Sequence, residues 1–488
     1  MRELRRKVLV PAFTLTEECK AGDVLASKRA IKRWKGREPL AYFERPVTNP
    51  LDKTGVNYNL FPIILNRNSA PWDLGNLYIL SRLEGVTQPS MATYHSLADD
   101  LGAFKEWIDD HENAEQLIFD FPKFRLRRVT YRYRGALNLK IASGEIAAST
   151  GNRRMGTVVS FYRWLIDEEF FEPEAPPWQE RTFNLSLKDA AGFAIKKAIK
   201  STDLHNPAPK VVDLLTDTIQ DGGKLRPLPE SEQRWVMEAA DGLGNPEMFL
   251  FLLFMMLSGA RIQTAGTLRL RHFIQPRVAF SKALAGDGEV FKLKVGPGTG
   301  IDSKHDKTMV LQMPRFFYEA LHTYAVSSRA KRRRDLAPGG DHLNQYLFIT
   351  QQGSPYYTSK EDALRFDPNF SRRHTKTGGT VRQFLTDHLI PKVRANNDPN
   401  FHFRIHDLRA TFGMNQTDIQ MALVESKVIT LGKAKSNVMA LMGHASPVTT
   451  ELYLDYRKQM EVMYCAVNGY GDQVAKWTNA ALKGVMDV

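Results

Sequence analysis

An unbroken apolar run, residues 248–257 (MFLFLLFMML), stops at Ser258-Gly259 and leads directly into Ala260-Arg261-Ile262. The run is about half the ~20 residues a membrane span requires. It therefore reads as a helix wrapped on every side by protein, and glycine is a natural stop for such a helix. A chain built round this element needs a sizeable core, and the core must deliver a guanidinium at the helix exit.

At 488 residues the chain exceeds one ordinary core, so two or three domains are expected. The predicted class is mainly α with a small β-sheet (α+β). Residues 1–88 show mixed pattern and scattered prolines and carry no motif; an extra DNA-binding or interaction module is one reading. Residues 89–205 turn helical, with Leu97, Leu101, Phe104, Trp107 and Ile108 on one face and a second helix round Val158, Phe161, Trp164 and Leu165. Residues 206–228 hold Pro207, Pro209, Gly222, Gly223 and Pro227, a linker composition. Residues 229–460 form the next domain, opened by a helix at Pro229-Glu230-Ser231-Glu232, and 461–488 are a tail.

Lys+Arg 67 against Asp+Glu 54 gives a net charge of +13, a balance that favours a polyanionic partner. Basic residues concentrate in Lys123, Arg125, Arg127, Arg128, Arg132 and Arg134, interleaved with Phe124, Tyr131 and Tyr133, with Arg153 and Arg154 further on. Aromatics among cations, with no acidic residue from 122 to 140, point to a phosphate-contacting surface. Cys19 and Cys465 supply neither a disulfide framework nor a Cys-rich zinc site, which fits a reducing cytosol. The basic start is followed by an apolar stretch that Pro11 breaks, a poor signal peptide.

The chemistry sits further along. His406-Asp407-Leu408-Arg409 puts an imidazole and a guanidinium on one helical turn. Gly443 closes a short helix, His444 stands in the turn beyond it, and Ser446-Pro447 starts the next helix, which carries Thr449, Thr450 and Tyr453. Breaking a phosphodiester needs fixed positive charge, an acid for the leaving oxygen and a nucleophile. Guanidinium suits the first task, because its fork meets two phosphate oxygens and keeps its proton.

In this order the motifs resemble those of the tyrosine recombinases, the phage-integrase superfamily, whose boxes read H-x-x-R, G-H and a terminal Tyr. The match Gly259-Ala260-Arg261-Ile262 extends the resemblance, which covers most of 229–460. It implies a small helical core-binding (SAM-like) domain at 89–205 and a catalytic domain at 229–460. It further implies Arg261 and Arg409 as phosphate clamps, His406 and His444 as phosphate partners, and Tyr453 as nucleophile, with Tyr456 and Tyr464 as competitors. The family's hairpin lysine, a proton donor to the leaving 5′ oxygen, falls on Lys304, with Lys307 as the alternative, between strands predicted at 290–295 and 308–313. The family usually has a carboxylate where this chain has Thr264, so Arg261 needs support from elsewhere. Two departures are expected to be insertions: an exposed basic one at 327–344, before a strand at 346–349, and an extra turn or loop at 416–435.

By the same resemblance the protein is a site-specific DNA recombinase or integrase that works through a 3′-phosphotyrosyl intermediate, for integration or excision of a mobile element. Its partners are double-stranded DNA and its own copies, as a tetramer on two sites, with no accessory protein identified. No membrane partner, metal or cofactor is expected, and the place of action is the cytoplasm, with the nucleoid of a prokaryote. The tail (Tyr464, Val467, Trp477, Leu482) is expected to pack on a neighbouring subunit. A type IB topoisomerase shares the chemistry, and a non-catalytic DNA-binding protein could keep the fold.

Overall fold

The structure, a computed structural model, describes residues 6–31, 40–48, 55–86, 89–188, 194–205, 218–275, 278–282, 288–365, 374–444 and 446–486. It is mainly helical with small antiparallel sheets, and the chain divides into two compact units. One takes residues 1–211 and 360–374; the other takes 212–359 and 375–488.

In the first unit, β1 (Lys7–Thr14), β2 (Thr16–Cys19), β3 (Ser27–Ile31), β4 (Leu40–Pro46) and β5 (Asn57–Ile64) make two sheets, β1-β5 and β2-β4-β3. There follow α1 (Asp73–Leu83), α2 (Met91–Asp109), α3 (Ala114–Leu117), α4 (Val129–Ala142) and α5 (Ala148–Asp167). The hairpin β6 (Glu180–Lys188) and β7 (Ala194–Thr202) closes the segment. Phe61 and Ile64 from β5 and Tyr78 and Ile79 from α1 share one core with Leu101, Phe104, Tyr133, Phe161 and Tyr162. No boundary therefore falls at residue 88: the apolar side chains of β5 and α1 complete the core of the helices that follow. Residues 180–188 and 194–202, expected as part of a helical domain, are strand.

The second unit opens with a short hairpin, β8 (Ile219–Gln220) and β9 (Lys224–Leu225), then α6 (Glu230–Gly242), α7 (Pro246–Ser258) and α8 (Ile262–Gly266). The side chain of Asn245 caps α7 by accepting from the amide of Met248, and Gly259 ends it in the left-handed conformation at φ 65°. The sheet β10 (Phe280–Lys282), β11 (Glu289–Val295) and β12 (Met309–Pro314) is followed by α9 (Arg315–Val326), α10 (Ser328–Asp335) and α11 (Lys360–Leu364), the last counted with the first unit. The remaining helices are α12 (Gly379–Phe384), α13 (Ile390–Asn396), α14 (Asp407–Glu425), α15 (Leu431–Met442) and α16 (Pro447–Met486). The predicted hairpin appears as β11 and β12, paired from Val290–Pro314 to Val295–Met309, with β10 as an added edge. The main core surrounds α7, where Phe251, Leu252, Phe254 and Met255 are fully buried.

Three expectations are corrected here. The 327–344 segment is not simply an exposed basic insertion. On α10 Arg333 and Arg334 are buried, and Arg333 and Arg329 pair with Glu247, itself fully buried in the first turn of α7. A buried carboxylate demands cationic partners, and these arginines supply them. Residues 346–349 are no strand; Tyr346 and Ile349 make single bridges to Arg269 and Pro355. Residues 416–435, expected to hold an extra turn or loop, are mostly helix: they complete α14, turn at 426–430 and begin α15. The tail continues α16, with Trp477 exposed; the side chains of Tyr464, Val467 and Leu482 lie outside the described residues.

Candidate active site

All the residues singled out for chemistry belong to the second unit. Two of them leave the ends of rigid helices. Gly259 needs its missing side chain twice over: its φ is positive, and a Cβ there would lie 2.4 Å from the Phe412 ring. That close approach brings the exit of α7, and Arg261 two residues on, against α14. His406 stands at the N-cap of α14 and Arg409 in its first turn. The Asp407 between them anchors the segment entering α6: its carboxylate accepts from the amides of Arg404 (2.8 Å) and Arg226 (3.1 Å). The Thr411 hydroxyl accepts from the amide of Leu228 at 2.9 Å.

Arg409 is 2 % exposed and its donors are spread over three elements. Nη1 donates to the carbonyl of Gly259 and Nη2 to that of Met442, both at 2.9 Å, while Nε donates to Oδ2 of Asp221 at 2.9 Å. The ends of α7 and α15 and the β8–β9 turn are thus tied by one guanidinium.

Asp221 is the residue that sequence reasoning missed. It lies in the segment expected as linker, of which 206–217 fall outside the described residues while 218–228 pack as hairpin and entry to α6. Its Oδ2 also accepts from the Tyr453 phenol at 3.1 Å and stands 3.4 Å from Nε2 of His444. Its Oδ1 lies 3.9 Å from Arg261 Nη2. A carboxylate is therefore supplied where Thr264 does not supply one, from forty residues upstream of Arg261. The signal available was that substitution at 264 together with an aspartate set before Gly222-Gly223.

His444 points Nε2 at the Asp221 carboxylate, to which it can donate, while Nδ1 stands 3.0 Å from the Thr450 hydroxyl. Gly443 is left-handed at φ 62°, which turns His444 off the end of α15. Tyr453 is completely buried, its ring so close to Gly413 that a Cβ there would lie 2.3 Å from Cε1. Tyr456 is half-buried and packs against the same small cluster of Ile219, Leu225, Phe412 and Tyr453.

Charge sets the ionisation of each group. Burial alone would raise the Asp221 carboxyl, but the hydrogen bond from His444 and the charges of Arg409 and Arg261 hold it well below the usual carboxylate range. Burial, then the neighbouring charge of Arg409, lowers Arg261 to about 10, still protonated at neutral pH. Burial and the two arginines lower His406 to about 4, so its imidazole is neutral. Burial, reinforced by the Asp221 carboxylate, pushes the Tyr453 phenol well above its ordinary value.

Lys304 and Lys307 sit on the β11–β12 loop, both exposed. A cavity of about 200 Å³ is lined by Asp221, Arg261, Lys304, Lys307, Arg409 and His444, among others. The Lys304 ammonium approaches the hairpin turn, 3.2 Å from where a Cβ on Gly222 would stand, and its charge helps depress His406. The two lysines thus share the cavity, with Lys304 reaching toward the other groups.

Of the basic stretch in the first unit, Lys123, Arg125 and Arg127 are exposed, while Arg132 and Arg134 are half-buried on α4. Arg128 is buried, and its guanidinium donates to the carbonyls of Pro122, Lys123 and Pro176. It braces a loop and presents no charge to solvent. Tyr131 and Tyr133 are core residues, so of the interleaved aromatics only Phe124 is exposed. Arg153 and Arg154 lie against Asp100, at 3.0 and 3.9 Å. Among the described residues no helix is long and apolar enough to cross a membrane.

No protein-family model and no curated protein sequence matches the chain. Among solved structures it is similar to the XerH site-specific recombinase bound to difH substrate, at 13% identity, covering 80% of this chain and 88% of that one, with a TM-score of 0.41. The Tn1549 transposon integrase in complex with transposon right end DNA is similar at 13% identity, covering 80% of this chain and 98% of that one, with a TM-score of 0.43. The XerA recombinase is similar at 14% identity over 80% and 96%, with a TM-score of 0.27. At these scores the functional reading rests on the side chains of this chain.

Proposed function

We propose that this protein is a site-specific DNA recombinase that cuts and rejoins strands through a 3′-phosphotyrosyl intermediate. The observation that carries the reading is the convergence of Arg261, Arg409, His444 and Tyr453 on a single anionic group. Groups that surround a carboxylate in this way suit a phosphodiester, which also carries one negative charge.

In the proposed reaction the Tyr453 oxygen attacks the scissile phosphorus. A bond forms from that oxygen to phosphorus, the bond from phosphorus to the 5′ oxygen breaks, and the phenolic proton passes to a neighbouring base. We assign that proton to His406, whose imidazole is neutral and which precedes Arg409 by one helical turn. Arg261 and Arg409 bear the charge that builds on the non-bridging oxygens, and Nε2–H of His444 adds a third donor. Lys304 protonates the departing 5′ oxygen. The ester keeps the energy of the broken bond, so attack by a 5′ hydroxyl of another strand reverses each step and exchanges partners. Work on a mobile element, in a tetramer spanning two sites, belongs to the same proposal.

The test uses nicked suicide duplexes carrying repeats found beside the gene. Covalent protein–DNA adducts that survive denaturing electrophoresis support the proposal, and their absence favours a protein that only binds DNA. Relaxation of any supercoiled plasmid, without preference for such repeats, would instead favour the topoisomerase reading.

A further inference from the structure

Asp221 occupies the place where the chemistry needs a phosphate. Its Oδ2 meets the Nε of Arg409 at 2.9 Å, the Tyr453 oxygen at 3.1 Å and Nε2 of His444 at 3.4 Å. Arg261 approaches the other oxygen at 3.9 Å. A nucleophile and its target must touch, yet Tyr453 is fully buried and Arg409 is 2 % exposed with Asp221 in place. A phosphate entering beside the carboxylate would also meet a like charge at close range, which disfavours holding both.

The element bearing Asp221 is small. β8 and β9 contribute two residue pairs, Ile219 with Leu225 and Gln220 with Lys224, and the turn is Asp221, Gly222 (φ 71°) and Gly223 (φ 159°). A two-stranded ribbon of this length has little stability of its own. It is pinned by Ile219 and Leu225 in the cluster round Tyr453 and by the ionic contacts of Asp221. The adjoining cavity, lined by Asp221, Arg261, Lys304 and His444, gives an anion a way in.

We infer that Asp221 is an internal stand-in for the scissile phosphate, filling the anion seat of the free protein until an incoming phosphate displaces it with its hairpin. The inference rests on the reading of Arg261, Arg409 and His444 as phosphate-binding groups. It goes beyond that reading by making occupancy of the seat competitive: the site binds either its own carboxylate or the substrate. Tyr453 is freed in the same exchange, because its hydrogen-bond acceptor leaves. A different role, in which Asp221 stays to hold the arginines during the reaction, makes the opposite forecast for anion binding.

The experiment is calorimetric titration of the full chain with tungstate, a tetrahedral oxyanion, and with inorganic phosphate. Asp221→Asn removes the competing charge with little change of shape, so both anions should bind at least about tenfold more tightly than to the wild type. Adding Arg409→Ala to that variant should abolish the gain. Equal or weaker binding by Asp221→Asn overturns the inference. If the variant does not fold, amide exchange of the wild type decides: saturating tungstate should speed exchange at residues 219–225, and unchanged or slower exchange overturns the inference. Tyr453→Phe should keep anion binding, so a failed nucleophile assignment leaves the anion result intact and the two failures are separable.

Discussion

The phenol of Tyr453 donates to Oδ2 of Asp221 at 3.1 Å, the same oxygen that accepts from Arg409 at 2.9 Å. One carboxylate oxygen thus joins the candidate nucleophile to a candidate phosphate clamp, and it belongs to a short hairpin rather than to either helix. The consequences for stability, pH and catalysis can be measured separately.

Arg409→Ala should be costly to fold and to react. It leaves the buried Asp221 carboxylate without its closest cation, a defect worth about 3–5 kcal/mol, to be read by chemical denaturation. Adding Asp221→Asn should restore part of that loss, since the stranded charge is then gone. Strand cleavage should fall by roughly 10³–10⁵, as for other arginines that bear transition-state charge on a phosphoryl group. Cleavage within tenfold of wild type would remove Arg409 from the chemistry.

Stability should fall as pH drops from 6.5 to 4. The His406 pKa is lowered to about 4 in the folded protein, from an ordinary 6.5. Over that window the unfolded chain binds a proton that folded His406 refuses, so acid favours unfolding by at most about 3 kcal/mol from this group. His272 is lowered to about 4 as well and adds to the drop. The sign is the same for Asp221, but its window is more acidic. Its depressed pKa contributes stability that is complete above about pH 3.9 and is lost only as pH falls further. His406→Gln should therefore flatten the curve between 6.5 and 4 and leave the more acidic limb in place. An unchanged slope in denaturation series across that range would contradict the assignment.

Lys304→Ala should cleave ordinary DNA slowly and recover on a substrate whose bridging 5′ oxygen is sulfur, because a thiolate departs without a proton. Lys307→Ala should show only weaker binding, with the salt slope reduced by about one. Sulfur rescue of Lys307→Ala alone would reverse the two roles. Rescue of neither would point to His406 or His444 as the acid.

The basic stretch of the first unit should separate into two behaviours. Arg128→Ala should destabilise the fold by about 1–3 kcal/mol, because three backbone carbonyls lose the charged donor of a buried guanidinium. Arg127 is exposed, so Arg127→Ala should leave the melting temperature alone and reduce the salt slope of DNA binding by about one. Equal effects of the two on stability would refute the division.

Much of the second unit was legible because its signals are local. The apolar run at 248–257, the glycines at 259 and 443 and the alternation at 290–295 each specify an element from adjacent residues, and α7, the left-handed caps and β11 follow. Arg261, Arg409, His444 and Tyr453 converge on Asp221, a grouping that the family resemblance, and not any local spacing, had implied. Asp221 was not legible, because its partners lie 188 and 232 residues away and nothing beside it marks it except two glycines. The burial of Arg128, Arg333 and Arg334 was hidden for a similar reason. A run of cations looks like a solvated face until the buried Glu247, or the carbonyl it must satisfy, is known.

The most direct test of the nucleophile is the chemical identity of the residue that holds DNA. Adduct formed on a suicide duplex would be digested with protease and nuclease and sequenced by tandem mass spectrometry. The expected result is a nucleotide 3′-phosphate on Tyr453 and no adduct from Tyr453→Phe, whose fold and DNA binding should remain. Nucleotide carried by Tyr456 or Tyr464, with Tyr453 unmodified, would contradict the account.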